Sequence, residues 1–182
     1  MKFTMKYLLS AVILLVSISM FGRNGRMAVD ANVPFPVGGN FLTVTYNGVF
    51  DLGFRYDISK HENYKLGVSG NIAYLDNKFS KTNVFIFRPR VYLRYEDEQR
   101  LEFFMPYLAF GYGSFRFTYP GQDGLDAVSR GPNVTVGGYF HFTEQIYLMT
   151  SYDYMYLPLN RLDEKADSYN LHVLSIGFGY RF

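Results

Sequence analysis

The chain has 182 residues, with 18 Lys and Arg against 16 Asp and Glu, no Cys, no Trp and an aromatic content of 19%. Charge this balanced excludes a basic nucleic-acid surface as an organising feature. The missing Cys excludes a disulfide framework, thiol chemistry and a lipid-bearing Cys behind an export signal.

The first predicted element is an export signal. Lys2 and Lys6 precede an apolar stretch of 15 residues, Tyr7 to Phe21. That is short of the roughly 20 residues a spanning helix needs and suits a signal-peptide core. Small residues offer cleavage after Ser19 or after Gly22, so residues 1–22 are read as the signal and 23–182 as a single domain. Removing 1–22 takes two Lys and no acid, leaving 16 basic and 16 acidic residues.

Eight strands follow, at about 25–34, 47–58, 64–75, 83–95, 103–117, 132–142, 145–157 and 169–182, by the alternation of apolar and polar residues. Each reaches the roughly 9–11 residues that a tilted strand needs to cross a bilayer. The connections alternate between short (59–63, 96–102, 143–144) and long (35–46, 76–82, 118–131, 158–168), and the long ones carry Pro, Gly, Asn and Asp turn chemistry. The segment Phe41–Tyr46 also alternates but is assigned to a long loop, because the pattern from Val49 to Ile58 is stronger. No amphipathic helix is predicted after the signal.

Each strand has two faces. One carries Val29, Ala31, Val33; Leu52, Phe54, Tyr56; Leu66, Val68, Ile72; Phe85, Phe87, Val91, Leu93; Leu108, Phe110, Tyr112; and continues through Val136, Phe140, Leu148, Tyr152, Ile176 and Phe178. The other carries Asp30, Asp51, Arg55, Asp57, Lys65, Asn71, Arg88, Arg90, Tyr92, Arg94, Tyr107, Tyr139, Asp153, Ser175 and Arg181 with many Gly. A soluble sandwich would turn the apolar face inward; a membrane barrel turns it outward. Tyr and Phe crowd the ends of the apolar face (Tyr56, Tyr95, Tyr154, Tyr180, Phe182), as interfacial girdles do. The strands also exceed the usual 5–6 residues of sandwich strands. The expected fold is therefore all-β, an eight-stranded antiparallel up-and-down transmembrane barrel. A mean hydropathy of −0.06 agrees, since only alternate residues meet lipid.

With these features in hand, the whole segment after the signal resembles the small eight-stranded outer-membrane barrels of the OmpA/OmpX type and the wider porin-family group. The last strand, Ser175-Ile-Gly-Phe-Gly-Tyr-Arg-Phe182, resembles the signal that the barrel-assembly machinery reads, with Tyr180 and Phe182 as its key residues; Pro106–Gly113 looks like a central strand of the group. The resemblance implies insertion by that machinery into the outer membrane of a Gram-negative-type bacterium, among lipopolysaccharide and other lipids. It carries no shared activity.

The chemistry-bearing cluster is in the interior. Arg88, Arg90 and Arg94 share one face of one strand, with Arg55 and Lys65 on neighbouring strands; Asp30, Asp51, Asp57 and Asp153 are the acids to face them. A charge in a narrow dry lumen must be paired. The cluster is thus either a plug of ion pairs or the filter of a narrow, weakly anion-preferring pore. Gly111 and Gly113 are read as relieving crowding there, so Gly111→Ser is expected to cost much less than Leu108→Arg. His61 is read as a solvated turn residue, His141 as a lumen residue, and His172 as outward-facing near the long-loop rim. Beside Ser168 and Glu164, His172 suggests a lipid-hydrolase arrangement. No Cys or His pair is spaced for a metal, though Asp123, Asp126, Asp163 and Glu164 lie in loops. Gly111-x-Gly113 and Gly177-x-Gly179 lie inside strands and are not phosphate loops.

The reading is a monomeric barrel without cofactor or catalysis, in a structural or surface-interaction role with its loops facing an outside ligand. The narrow pore comes second, a lipid-modifying enzyme third and a secreted soluble barrel fourth.

Overall fold

The computed structural model describes residues 26–39, 41–79, 82–97, 103–118, 127–158 and 168–182. The segment 1–22, expected from the sequence to be an export signal, lies outside them. The strands are β1 (Met27–Val37), β2 (Tyr46–His61), β3 (Tyr64–Asn77), β4 (Asn83–Tyr95), β5 (Phe104–Thr118), β6 (Ala127–His141), β7 (Ile146–Pro158) and β8 (Ser168–Arg181). Each pairs antiparallel with the next, and β1 closes on β8 to complete the barrel. Closure leaves no unpaired edge, which is the condition for strands to cross a bilayer.

Most strands run further toward the long-loop end than the alternation predicted. β1 extends to Val37, and β6 begins at Ala127. The reasons are local: over Pro34–Val37 both faces of β1 are apolar, so the period of two fades, and in β6 the turn-like pair Gly131-Pro132 sits inside a strand whose pairing continues before it. Phe41–Thr45 forms one turn of helix, here α1, and Tyr46 already belongs to β2. The expected loop therefore contains a helical turn. At the opposite end, β2 and β3 are joined by only Glu62 and Asn63, with Glu62 in the left-handed region (φ 50). Two irregularities, between Gly48 and Phe50 and between Asp57 and Ser59, adjust the register of β2 against β3.

The two faces point as predicted. Leu52, Phe87, Val136, Ile176 and Phe178 are exposed on the outside, while Asp51, Arg88, Arg90, Thr135 and Asp153 are buried inside. A soluble monomer rarely shows a continuous apolar wall of this extent; it needs hydrocarbon around it. Aromatic pairs edge the wall at both ends: Phe50, Tyr74 and Phe85 stack across β2–β4 toward the long loops, and Tyr64–Tyr95, Phe103–Phe140 and Tyr180–Phe182 meet near the short turns.

Leu108, on the outward phase of β5, tests this orientation. Leu108→Arg is expected to destabilise the folded barrel by about 2–4 kcal/mol, read from reversible denaturant unfolding in lipid, whereas Leu108→Phe should leave stability nearly unchanged.

Candidate functional site

The candidate site is the lumen. Antiparallel strands with inward alternation stack its side chains in levels, and each level has its own chemistry.

At the short-turn mouth, Glu96 follows directly after β4 and folds inward. Its backbone N–H donates to the Asn63 carbonyl at 2.7 Å. Its carboxylate meets Lys65 at 2.7 Å, Arg94 at 3.2 Å and Arg181 at 3.5 Å. Arg181 stands on β8, across the barrel from β4. Arg94 also donates to Asp57 at 2.7 Å, and the Tyr92 hydroxyl donates to the same carboxylate. Burial by itself would raise the Glu96 carboxyl, but Arg94, Lys65 and Arg181 overturn that and hold it at about 2.

The next level is a layer of tyrosines around Arg55. The guanidinium lies 4.0 Å from the centre of the Tyr139 ring and 5.0 Å from that of Tyr147, pairs with Asp30 at 3.3 Å, and donates to the Tyr147 hydroxyl. Tyr147 in turn donates to the Val29 carbonyl at 3.1 Å. Tyr107 stacks on Tyr139 with ring centres 4.6 Å apart. Asn32 donates to Asp30 at 2.8 Å.

The mid-barrel level is ionic. Arg88 bridges Asp51 on β2 and Asp153 on β7, the latter at 3.0 Å. Arg90 pairs with Asp153 at 2.7 Å and donates to the Thr135 hydroxyl and to the Asn71 side-chain amide oxygen. Asn71 donates onward to Asp51 at 3.0 Å. Arg55, Arg88 and Arg90 are thus matched by Asp30, Asp51 and Asp153, three charges against three. The lumen here keeps a cavity of about 10 Å³ beside Asp30, Arg55, Asn71 and Arg90, room for about one water.

Toward the long loops the interior turns apolar. Tyr46, Leu75, Val84, Ile86, Phe115, Met155, Leu171 and Val173 are buried in one cluster. The alternation of the strands predicts a polar inward phase along their whole length. The signal was present, since these residues continue the inward phase, but it is masked where the outward phase is equally apolar. Glu96 was missed for a different reason: it lies in a turn, where periodicity says nothing about direction.

The glycines require a correction. A Cβ on Gly111 would come within 2.1 Å of the Pro89 carbonyl oxygen and 2.5 Å of the Arg90 side chain. The backbone oxygen cannot swing aside, so Gly111→Ser is not the mild change expected from a roomy lumen.

His141 is half-buried inside, its ring 5.4 Å from that of Tyr147, and His61 is exposed at the end of β2. His172 is on the outward phase near the long-loop end, where its Nδ1 and the Tyr152 hydroxyl are 2.5 Å apart. The Ser168 side chain and Glu164 lie outside the described residues, as do Asp123, Asp126 and Asp163. Among the described residues no group of three or more His, Cys, Asp or Glu is placed to hold a metal.

Residues 8–182 match the family described as outer membrane protein beta-barrel domain. The chain belongs to that outer-membrane β-barrel family. Its place is the outer membrane of a Gram-negative bacterium, and its outward wall is the lipid-facing one. No curated protein matches it. Among solved structures it is similar to Ail, the attachment invasion locus protein of Yersinia pestis, solved in complex with the heparin analogue sucrose octasulfate. Their identity is 18%, the match covers 86% of this chain and 97% of Ail, and the TM-score is 0.56. Neisserial surface protein A matches at 17% identity over 87% of this chain and 98% of its own, with a TM-score of 0.56. The outer membrane enzyme PagL matches at 13% identity over 84% and 97%, with a TM-score of 0.52. At such identities the likeness is one of fold.

Two outcomes test the lumen chemistry. Asp153→Ala removes the carboxylate partner of Arg90 and one of the two carboxylates of Arg88, and should cost about 3–5 kcal/mol, the scale for breaking a buried pair. For Glu96, whose carboxyl is held low in the folded barrel and sits near 4.5 when unfolded, the stabilisation is complete above about 4.5 and is lost as pH falls toward about 2. Unfolding measured across that window should show a decline in the wild type that is smaller in Glu96→Gln.

Proposed function

We propose that this barrel is a sealed scaffold rather than a conduit. It anchors a wall in the outer membrane and presents the connections at the β1–β2 loop end, residues 38–45, 78–82, 119–126 and 159–167, three of them eight or nine residues long, to a surface ligand. By the arrangement common to outer-membrane barrels, the short turns are periplasmic and the long loops extracellular. The observation that carries this reading is the filled interior: an ionic level, a tyrosine level and an apolar level follow one another across the lumen.

The pore reading needs a continuous wet path and an excess of cations to prefer anions. At mid-barrel Arg88 and Arg90 are matched by Asp51 and Asp153, and in the next level Arg55 is matched by Asp30, which leaves no excess of cations at the narrow centre. The enzyme reading rests on His172, whose Nδ1 partner is a phenol, Tyr152, and not the carboxylate that a hydrolase triad places there. Residues 1–22 serve as the export signal, and Tyr180 and Phe182 as the feature read by the assembly machinery, in a barrel that works as a monomer.

Planar-bilayer recording is the direct test. The folded protein should give no sustained conductance. A stable anion-preferring current that disappears on substitution of Arg88 and Arg90 would overturn the scaffold reading.

A further inference from the structure

The lipid-facing wall contains a local exception. On the outward phase of the described strands the permanently charged cations are Arg116 on β5 and Arg130 on β6, both exposed. They are not scattered. In the β5–β6 register Arg116 lies opposite Val128 and Arg130 opposite Ser114, so the two are diagonal neighbours on one face. Diagonal neighbours of this kind stand about 7–8 Å apart at the backbone, within reach of long side chains.

Their height on the barrel follows from the same pairings. Arg116 pairs with Phe85, and Phe85 with Tyr74, which stacks on Phe50. Arg116 also lies two residues from the long-loop end of β5 and Arg130 three residues from the start of β6, so both stand near the long-loop rim beside the girdle residue Phe85. A guanidinium costs about 2–4 kcal/mol at the bilayer midplane and about 0–1 kcal/mol near the interface, so this is the level at which a pair of them is tolerated. Arg130 makes no ion pair with another described residue. Arg116 has an interaction of its own within the protein, so what marks the pair is its position and not two unpartnered guanidiniums.

We propose that Arg116 and Arg130 form a binding site for a phosphate carried by an outer-leaflet glycolipid. The anion must come to the barrel laterally, at headgroup depth, because the two side chains leave the wall outward and not into the lumen. A phosphate monoester supplies the charge and several acceptor oxygens, and the planar fork of Arg engages two of them at once. Tyr112, two positions along β5 from Ser114 and more than half exposed, stands next to the pair toward mid-membrane, where a glycolipid's acyl chains would lie against it. The site is independent of the lumen.

The test uses the folded protein in nanodiscs doped with lipid A that carries both phosphates, with bound glycolipid counted by native mass spectrometry. Wild type should retain it at least about 10-fold more strongly than Arg116→Ala/Arg130→Ala, a difference expected from losing charge-assisted contacts. Arg116→Lys/Arg130→Lys should fall between, since Lys keeps the charge and loses the fork. Dephosphorylated lipid A should not distinguish wild type from the Ala variant. The heat-modifiable gel shift checks folding of each variant, and Arg130→Gln alone replaces the double variant if that one fails to fold. Equal retention by wild type and variant overturns the proposal. So does displacement of the lipid by millimolar inorganic phosphate, which would mark a general anion site instead of a glycolipid site.

Discussion

An ionised side chain inside this barrel survives only by meeting its opposite across the lumen. The mid-barrel set illustrates the constraint: Arg88 and Arg90 leave β4 and end on carboxylates from β2 and β7. Neither a local turn nor a neighbouring strand supplies those partners, so the pairs can form only once the barrel has closed. Removing one partner leaves a charge in a low-dielectric interior, whereas removing both and filling the space with apolar groups need not be costly. The ionic level thus links closure, register and filling. A one-residue slip of β4 would send its arginines into hydrocarbon and its Phe and Val side chains inside.

The levels on either side extend the same logic with different chemistry. Tyr139 and Tyr147 flank Arg55 with ring faces and a hydroxyl, which satisfies a guanidinium that has one carboxylate partner. At the short-turn mouth Glu96 gathers three cations from three strands, so charge holds the residue that follows β4 inward. At the other end no charge is needed, because Phe115, Met155 and Leu171 fill the space as an ordinary core. A barrel sealed by three kinds of packing leaves its loops and its outer wall as the surfaces through which it meets other molecules.

The face of nearly every strand residue was legible in the sequence, because hydrocarbon outside and ions inside produce the sharpest alternation a strand can show. Arg88-Pro-Arg90-Val-Tyr92-Leu-Arg94 states both faces of β4 in seven residues. What alternation cannot convey is contact across the lumen. It showed Asp153 and Arg90 pointing inward but not that they meet, since their pairing depends on which strands stand opposite. Nor can it convey room: Gly111 looked like slack in a crowded lumen and is in fact the place where the Pro89 carbonyl approaches. The apolar level near the long loops was hidden by having the same polarity inside and out.

One measurement bears most directly on the sealed interior. The chain has no Cys, so Ala109→Cys places a single thiol at a buried, inward position at mid-barrel. Small water-soluble thiol reagents should leave it unmodified in the folded, lipid-embedded barrel and react with it fully after unfolding. Rapid modification in the folded state would mean that water runs through the lumen, and the account of matched charges as a seal would fail.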